Sequence, residues 1–202
     1  MIALQIKLCG FTRPQDATVA VAEGADMIGV VLWAPSPRAV DRDAARRIRE
    51  VVPDGVPLVG IFVDEEPETI DELVAAIGLD RVQLHGAEPQ DEILRHGARA
   101  LRGVRDGDAR GVPAGVPVVF DGPFSHTATR EELESHWAAA HALGSERPVL
   151  LAGGLHADNV ADAIRAARPY GVDTARGIEQ SPGVKDHDRL RRFVAAAREA
   201  DR

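Results

Sequence analysis

Pro148-Val149-Leu150-Leu151-Ala152-Gly153-Gly154-Leu155 is a short apolar run closed by two glycines, and a helical pattern over residues 157–167 follows it. A run this short, bounded by turn residues, reads as a buried strand. The unit is therefore strand, turn, helix, and it recurs along the chain every roughly 20–30 residues, the length of one βα step. The other strand-like runs are 3–8, 27–32, 57–62, 81–84, 98–101, 117–120 and 171–174. The helical patterns between them begin near Thr12, with Pro14 in the first turn and an end at Gly24, and near Asp41, ending at Val51. Further helices read over 67–77, from Pro89 to His96, over 130–142 and over 186–200. Prolines at the first turn and glycines past the end are the usual helix punctuation. Residues 34–38 carry two prolines and read as loop. The stretch 103–115 has room for a short helix only.

Eight strands, each followed by a helix and with no break in composition, predict an α/β chain whose residues 1–202 form one (β/α)8 barrel domain. An open doubly wound sheet is the alternative, and it leaves eight repeated units unexplained. The chain is 45% hydrophobic but only 4% aromatic, so its core rests on Val, Leu, Ile and Ala, as buried parallel strands require. The net charge of −8 leaves no basic surplus for a nucleic-acid backbone. No apolar run reaches the ~18 residues of a membrane span, so no membrane partner is expected. One cysteine makes no internal disulfide, which fits a reducing cytoplasm.

In such barrels chemistry gathers at the C-terminal ends of the strands. That rule selects Cys9, Arg38, Asp64, His85, Asp121, Gly153, Gly154, Arg176 and Gly177, all expected to ring one mouth. Cys9 closes the first strand before a glycine, where nearby positive dipoles can lower a thiol's pKa and make it a base or nucleophile. A lone cysteine is also commonly a small buried hydrophobe. Asp121 follows Val118-Val119-Phe120 and suits a general acid with a raised pKa, or a cap for the Gly-Pro turn after it. Gly153, Gly154 and Gly177 follow the last two strands, the recurrent phosphate position of these barrels, although a glycine can equally serve a tight turn. Asp158 and Asn159 stand at the start of the helix behind the glycine pair. Arg38, on a proline-stiffened loop, can hold a carboxylate bidentately or simply face solvent. Gln83 and His85 share a strand face, lining the mouth or forming a satisfied interior pair. Asp64 and Asp173 stay open between site and local cap. The seven histidines show no metal-ligand spacing, so no metal and no cofactor are expected. A base facing an acid beside a phosphate cradle points to an enzyme moving protons on a small phosphorylated molecule. A barrel that only binds a sugar phosphate is the non-catalytic alternative.

The chain resembles the phosphoribosylanthranilate isomerase family. The resemblance is carried by Lys7-Leu8-Cys9-Gly10-Phe11-Thr12, Gly24-Ala25-Asp26-Met27-Ile28-Gly29-Val30-Val31, Ser36-Pro37-Arg38 and Val59-Gly60-Ile61-Phe62-Val63. It continues through Val82-Gln83-Leu84-His85-Gly86, Leu151-Ala152-Gly153-Gly154-Leu155 with Asn159-Val160, Val172-Asp173, Gly177-Ile178-Glu179 and Ser181-Pro182-Gly183-Val184-Lys185-Asp186. It implies an Amadori rearrangement of a phosphorylated sugar amine in tryptophan biosynthesis, by a cytoplasmic monomer or homodimer. By the same resemblance Cys9 matches the general base at C2′, Asp121 the acid at the ring oxygen, Arg38 the residue for the anthranilate carboxylate, and Gly153, Gly154 and Gly177 the phosphate positions. Two stretches depart from the family pattern. Ser125-His126-Thr127-Ala128-Thr129 stands where the family has a glycine loop, with Trp137 retained after it, and Ala175-Arg176-Gly177 replaces Ser-Ser-Gly. Both changes fall on the active face, so a related phosphoribosyl arylamine is the alternative substrate.

Overall fold

Parallel strands buried on both faces need apolar residues on both, and the strands of this chain have them. The computed structural model describes residues 3–105, 108–122 and 128–202. Pro123 and the Ser125-His126-Thr127 part of the altered loop lie outside them. The strands are β1 (Gln5–Leu8), β2 (Met27–Val31), β3 (Leu58–Phe62), β4 (Arg81–Leu84), β5 (Ala100–Arg105), β6 (Val118–Asp121), β7 (Val149–Leu151) and β8 (Gly171–Thr174). They close in sequence order, with β8 pairing β1 in parallel, so the predicted barrel is what forms.

Alternation along each strand divides the core in two. Ile28, Val30, Leu58 and Phe62 point outward into the large cluster shared with the helices. Met27, Val59, Ile61, Leu101, Val119, Leu150 and Ala152 point inward and plug the barrel. Each fully buried aliphatic side chain contributes about 1.5–3 kcal/mol.

The helices are α1 (Pro14–Ala22), α2 (Arg42–Arg49), α3 (Pro67–Ile77), α4 (Gln90–Arg95), α5 (Arg130–Gly144), α6 (Val160–Ala167) and α7 (His187–Ala200). Their ends follow the expected chemistry. Asp41 accepts from the Ala44 N–H to start α2, and Asp186 accepts from Asp188 and Arg189 to start α7. Thr129 and Glu132 form a reciprocal capping box at α5.

Several expectations are corrected. Arg13, not Thr12, sits at the start of α1, because the Thr12 hydroxyl donates to the Gly183 carbonyl at 2.6 Å. The fifth strand is Ala100–Arg105 rather than 98–101, and among the described residues no helix stands between β5 and β6. The helix after β7 begins at Val160 rather than Ala157, since Asn159 is spent on the preceding turn. An antiparallel hairpin, β9 (Glu179–Ser181) and β10 (Val184–Lys185), follows β8 and was not foreseen. It turns at Pro182-Gly183, where Gly183 takes a φ of 80°.

Candidate active site

The C-terminal ends of the strands open on a cavity of about 920 Å³. Its lining includes Cys9, Arg38, Gln83, His85, Asp121, Gly153, Gly154, Asp173, Arg176 and Gly177, so the residues expected at the mouth meet there with the exception of Asp64. Asp64 does not join them. It accepts from the Ala87 N–H at 2.5 Å and fixes the β4–α4 turn instead. Arg102 and Glu88 pair beneath the same turn, with Glu88 also accepting from the Gly86 N–H.

Cys9 follows β1, two residues after Lys7 on the same inward face. Lys7 is fully buried and its Nζ lies 2.9 Å from Asp173 Oδ2, its register partner on β8. Burial alone would pull the Lys7 ammonium down; Asp173 and Cys9 outweigh it and hold the pKa above the ordinary value. The Cys9 thiol goes the other way from the sequence expectation. Burial pushes it up, and the ammonium groups of Lys7 and Lys185 offset this only in part. No positive dipole overrides the desolvation.

Asp121 ends β6 with its side chain about a third exposed to the cavity. Burial, then the charge of Asp173, raises its pKa to about 6. Arg105, Lys7 and Arg176 oppose that rise. His85 Nε2 stands 4.0 Å from Asp121 Oδ2. Burial and then Arg105 depress the His85 pKa to about 4, so the ring is neutral near pH 7. The Gln83 amide donates to His85 Nδ1 at 3.4 Å, which leaves the ring proton on Nε2. Gln83 Oε1, His85 Nε2 and Asp173 Oδ1 are buried polar atoms with no partner among the described residues. All three residues line the mouth, so a polar ligand there would satisfy three otherwise costly groups.

The two glycine turns touch. A Cβ on Gly177 would lie 1.9 Å from the Leu155 carbonyl oxygen, and the Thr174 hydroxyl donates to that oxygen at 2.8 Å. Gly153 takes a φ of 85°, and a Cβ there would meet the Gly122 N–H nitrogen at 2.5 Å. The backbone N–H groups of Gly153, Gly154 and Leu155 have no acceptor among the described residues. Asn159 does not face this cradle: its amide donates to the Gly154 carbonyl and its oxygen accepts from the His156 N–H, bracing the turn. His136 braces it from behind, bonded to the Ala152 carbonyl at 2.9 Å and stacked on Phe120.

Arg38 is already engaged. Its Nε and Nη2 donate to the two carboxylate oxygens of Glu179 at 2.8 and 2.6 Å. Lys185 completes the cluster, donating to Glu179 at 2.9 Å and to the Cys9 carbonyl at 2.6 Å. Sequence reasoning missed Lys7, Arg105, Glu179, Lys185 and His136. The alternation that grouped Gln83 with His85 applies equally to Lys7 and Cys9, and would have found Lys7. Glu179 and Lys185 depend on the hairpin, which carries no comparable signal.

A parallel barrel with a carboxylic acid, a thiol and a backbone anion cradle at one mouth defines a sugar-phosphate isomerase type of site. Residues 6–196 match the profile of N-(5′-phosphoribosyl)anthranilate (PRA) isomerase. The N-(5′-phosphoribosyl)anthranilate isomerase of Acidithiobacillus ferrooxidans is 40% identical over 98% of this chain and 99% of its own. Phosphoribosyl anthranilate isomerase from Thermotoga maritima superposes with a TM-score of 0.88 at 32% identity, over 97% of this chain and 99% of that one. The same type of enzyme in complex with reduced 1-(o-carboxyphenylamino)-1-deoxyribulose 5-phosphate superposes at 0.84, with 32% identity and the same coverage. The chain belongs to the N-(5′-phosphoribosyl)anthranilate isomerase family.

Proposed function

We propose that Cys9 and Asp121 carry the proton transfers of this family's reaction, with Arg38 and the two glycine turns holding the ends of the substrate. The reaction converts N-(5′-phosphoribosyl)anthranilate to 1-(o-carboxyphenylamino)-1-deoxyribulose 5-phosphate, an aldose–ketose isomerisation of tryptophan biosynthesis. The observation that carries the assignment is the meeting, on one cavity, of Cys9, Asp121 and the N–H groups of residues 153–155, which have no acceptor among the described residues.

Asp121, held near a pKa of 6, retains a proton to give at moderately acidic to neutral pH. It protonates the furanose ring oxygen. The C1′–O bond breaks as the anilino nitrogen's lone pair forms a C1′=N Schiff base. Cys9, in the thiolate form that Lys7 and Lys185 favour against burial, takes the C2′ proton; the C2′–H pair becomes the C1′=C2′ bond as the C1′=N pair returns to nitrogen, giving the enolamine. The enolamine then loses its hydroxyl proton and gains one at C1′, which yields the ketone. Atoms and electrons balance within the substrate and these two groups, so no cofactor is needed. Neutral His85 and Asp173 suit the sugar hydroxyls as donor and acceptor. The phosphate meets the backbone N–H groups of the glycine turns, with Gln83 behind His85 and the exposed Arg176 at the rim. Every group named comes from one chain, so monomer and homodimer serve equally well. We place the enzyme in the cytoplasm on the strength of its lone thiol; among the described residues no helix is long and apolar enough to cross a membrane.

The test is turnover of freshly made N-(5′-phosphoribosyl)anthranilate, followed by anthranilate-type fluorescence. Native protein should convert it, and Cys9→Ala should lose at least about a hundredfold in kcat, within the range of general-base catalysis. Near-native turnover in Cys9→Ala would remove the thiol from the mechanism.

A further inference from the structure

Glu179 is 4% exposed and does not line the cavity, yet it occupies the Nε–Nη2 edge of the Arg38 guanidinium with both oxygens. A guanidinium has five N–H donors and two bidentate edges. With the first edge taken, the end-on edge, Nη1 and the outer hydrogen of Nη2, is what Arg38 can present to the mouth. Nη1 has no partner among the described residues. The stem of Arg38 is confined as well: it crosses Gly10, where a Cβ would lie 2.5 Å from Arg38 Cδ.

Glu179 is itself fixed. Lys185 Nζ and the Gly183 N–H both donate to its Oε1, at 2.9 and 3.1 Å. Lys185 in turn bonds the Cys9 carbonyl and stands 5.0 Å from the centre of the Phe11 ring. The chain of contacts thus ties the orientation of Arg38 to the backbone that carries the thiol. We propose that Glu179 is the positioning residue of the carboxylate subsite, aiming the outer edge of Arg38 at the aryl carboxylate of the substrate. The proposal rests on the reading of Arg38 given above.

Charge alone predicts the opposite of positioning. A buried anion beside the subsite repels a carboxylate, so removing it should tighten binding if Glu179 acts only through its field. If it acts by aiming Arg38, removing it should weaken binding of the carboxylated ligand and spare a ligand without the carboxylate. Two stable probes separate these cases: reduced 1-(o-carboxyphenylamino)-1-deoxyribulose 5-phosphate and its phenylamino counterpart without the carboxyl group. Native protein should prefer the first by about 30-fold, the scale of one charge-assisted bonded pair. Glu179→Gln should bring that preference below about 5-fold, with the phenylamino ligand bound as in the native protein. A preference kept or increased in Glu179→Gln overturns the proposal. Arg38→Ala separates the two levels of inference. If it leaves the preference intact, the reading of Arg38 fails and the proposal falls with it; if it abolishes the preference while Glu179→Gln does not, only the positioning claim fails. Each preference is a ratio within one preparation, so the folded fraction cancels. Should Glu179→Gln not fold, Glu179→Asp keeps the charge but withdraws the carboxylate by one methylene, and it must lower the preference too.

Discussion

Asp121→Asn should make the protein more stable at neutral pH and abolish its turnover. The carboxyl is raised from 3.8 to about 6 in the fold, so the fold disfavours its charged form. About 2 units at 1.36 kcal/mol each would be roughly 3 kcal/mol. The side chain is 35% exposed, and solvent screening reduces the figure to about 1–2 kcal/mol. The sign follows from linkage. Below about pH 4 the group is protonated in both folded and unfolded chains, and native and Asn proteins should match. Between about 4 and 6 the unfolded chain loses its proton first, so native stability falls relative to the variant. Above about 6 the gap is complete and flat. Urea unfolding of both proteins from pH 4 to 8 measures this directly. A variant no more stable than native at pH 7.5, or a gap that does not change with pH, refutes the claim that Asp121 is held protonated by its surroundings. Activity must be measured beside it: a stabilised but inactive variant is what a strained general acid predicts, whereas an active one would remove Asp121 from the ring-opening step.

Two further outcomes follow from the same geometry. Lys7→Met should cost about 3–5 kcal/mol, because it leaves the Asp173 carboxylate buried without its counter-charge; unfolding by urea checks this, and Lys7→Met combined with Asp173→Asn should recover most of the loss. Gly177→Ala should raise KM at least about tenfold, because its Cβ cannot share space with the Leu155 carbonyl 1.9 Å away and the two glycine turns must part. Weakened competitive inhibition by inorganic phosphate would place that effect at the cradle, and unchanged inhibition would refute it.

How far the sequence speaks depends on whether a residue's environment is local. Helix α3 lies where the prolines, glycines and apolar spacing put it, at Pro67–Ile77, and β4 and β8 coincide with the runs 81–84 and 171–174. Strand β5 does not. Arg102, Gly103 and Arg105 dilute its apolar pattern, and the first two serve partners elsewhere: Arg102 reaches Glu88, and Gly103 makes way for the His85 ring, 2.5 Å from where its Cβ would be. Thr12 looked like a helix cap because Pro14 follows it, but its hydroxyl bonds a residue 171 positions away. Cys9 and Asp121 were legible because the barrel rule places strand ends at the mouth. The direction of the thiol's shift was not, because desolvation depends on the depth of packing around Cys9 rather than on its place in the loop. Arg38 reads from sequence as either a carboxylate binder or a solvent-facing arginine; the structure places it at the mouth with one edge taken by Glu179.

The inward layer of the barrel explains why a core of Val, Leu and Ile accommodates so many polar groups at one end. Below the mouth the inward positions are Met27, Val59, Leu101 and Leu150, and they close the barrel as an ordinary apolar plug. One layer higher, Gly29 and Gly103 take inward positions that any larger residue would fill. A Cβ on Gly29 would lie 2.8 Å from Cys9 Sγ, and one on Gly103 would run into the His85 ring. These two glycines give the thiol and the imidazole their room. Lys7 and Asp173 bring opposite charges to the inward face of the barrel from adjacent, register-paired strands, so neither is buried alone. The pairing is asymmetric: Asp173 uses Oδ2 on Lys7, and its Oδ1 has no hydrogen-bond partner among the described residues. The anion therefore does two things at once. It offsets a buried ammonium that opposes the rise of the Cys9 thiol, and its residual field helps keep the proton on Asp121 across the mouth. The proposed base and acid need opposite protonation states at one pH, and one buried ion pair acts on both: its ammonium favours the Cys9 thiolate, and its carboxylate favours the protonated Asp121.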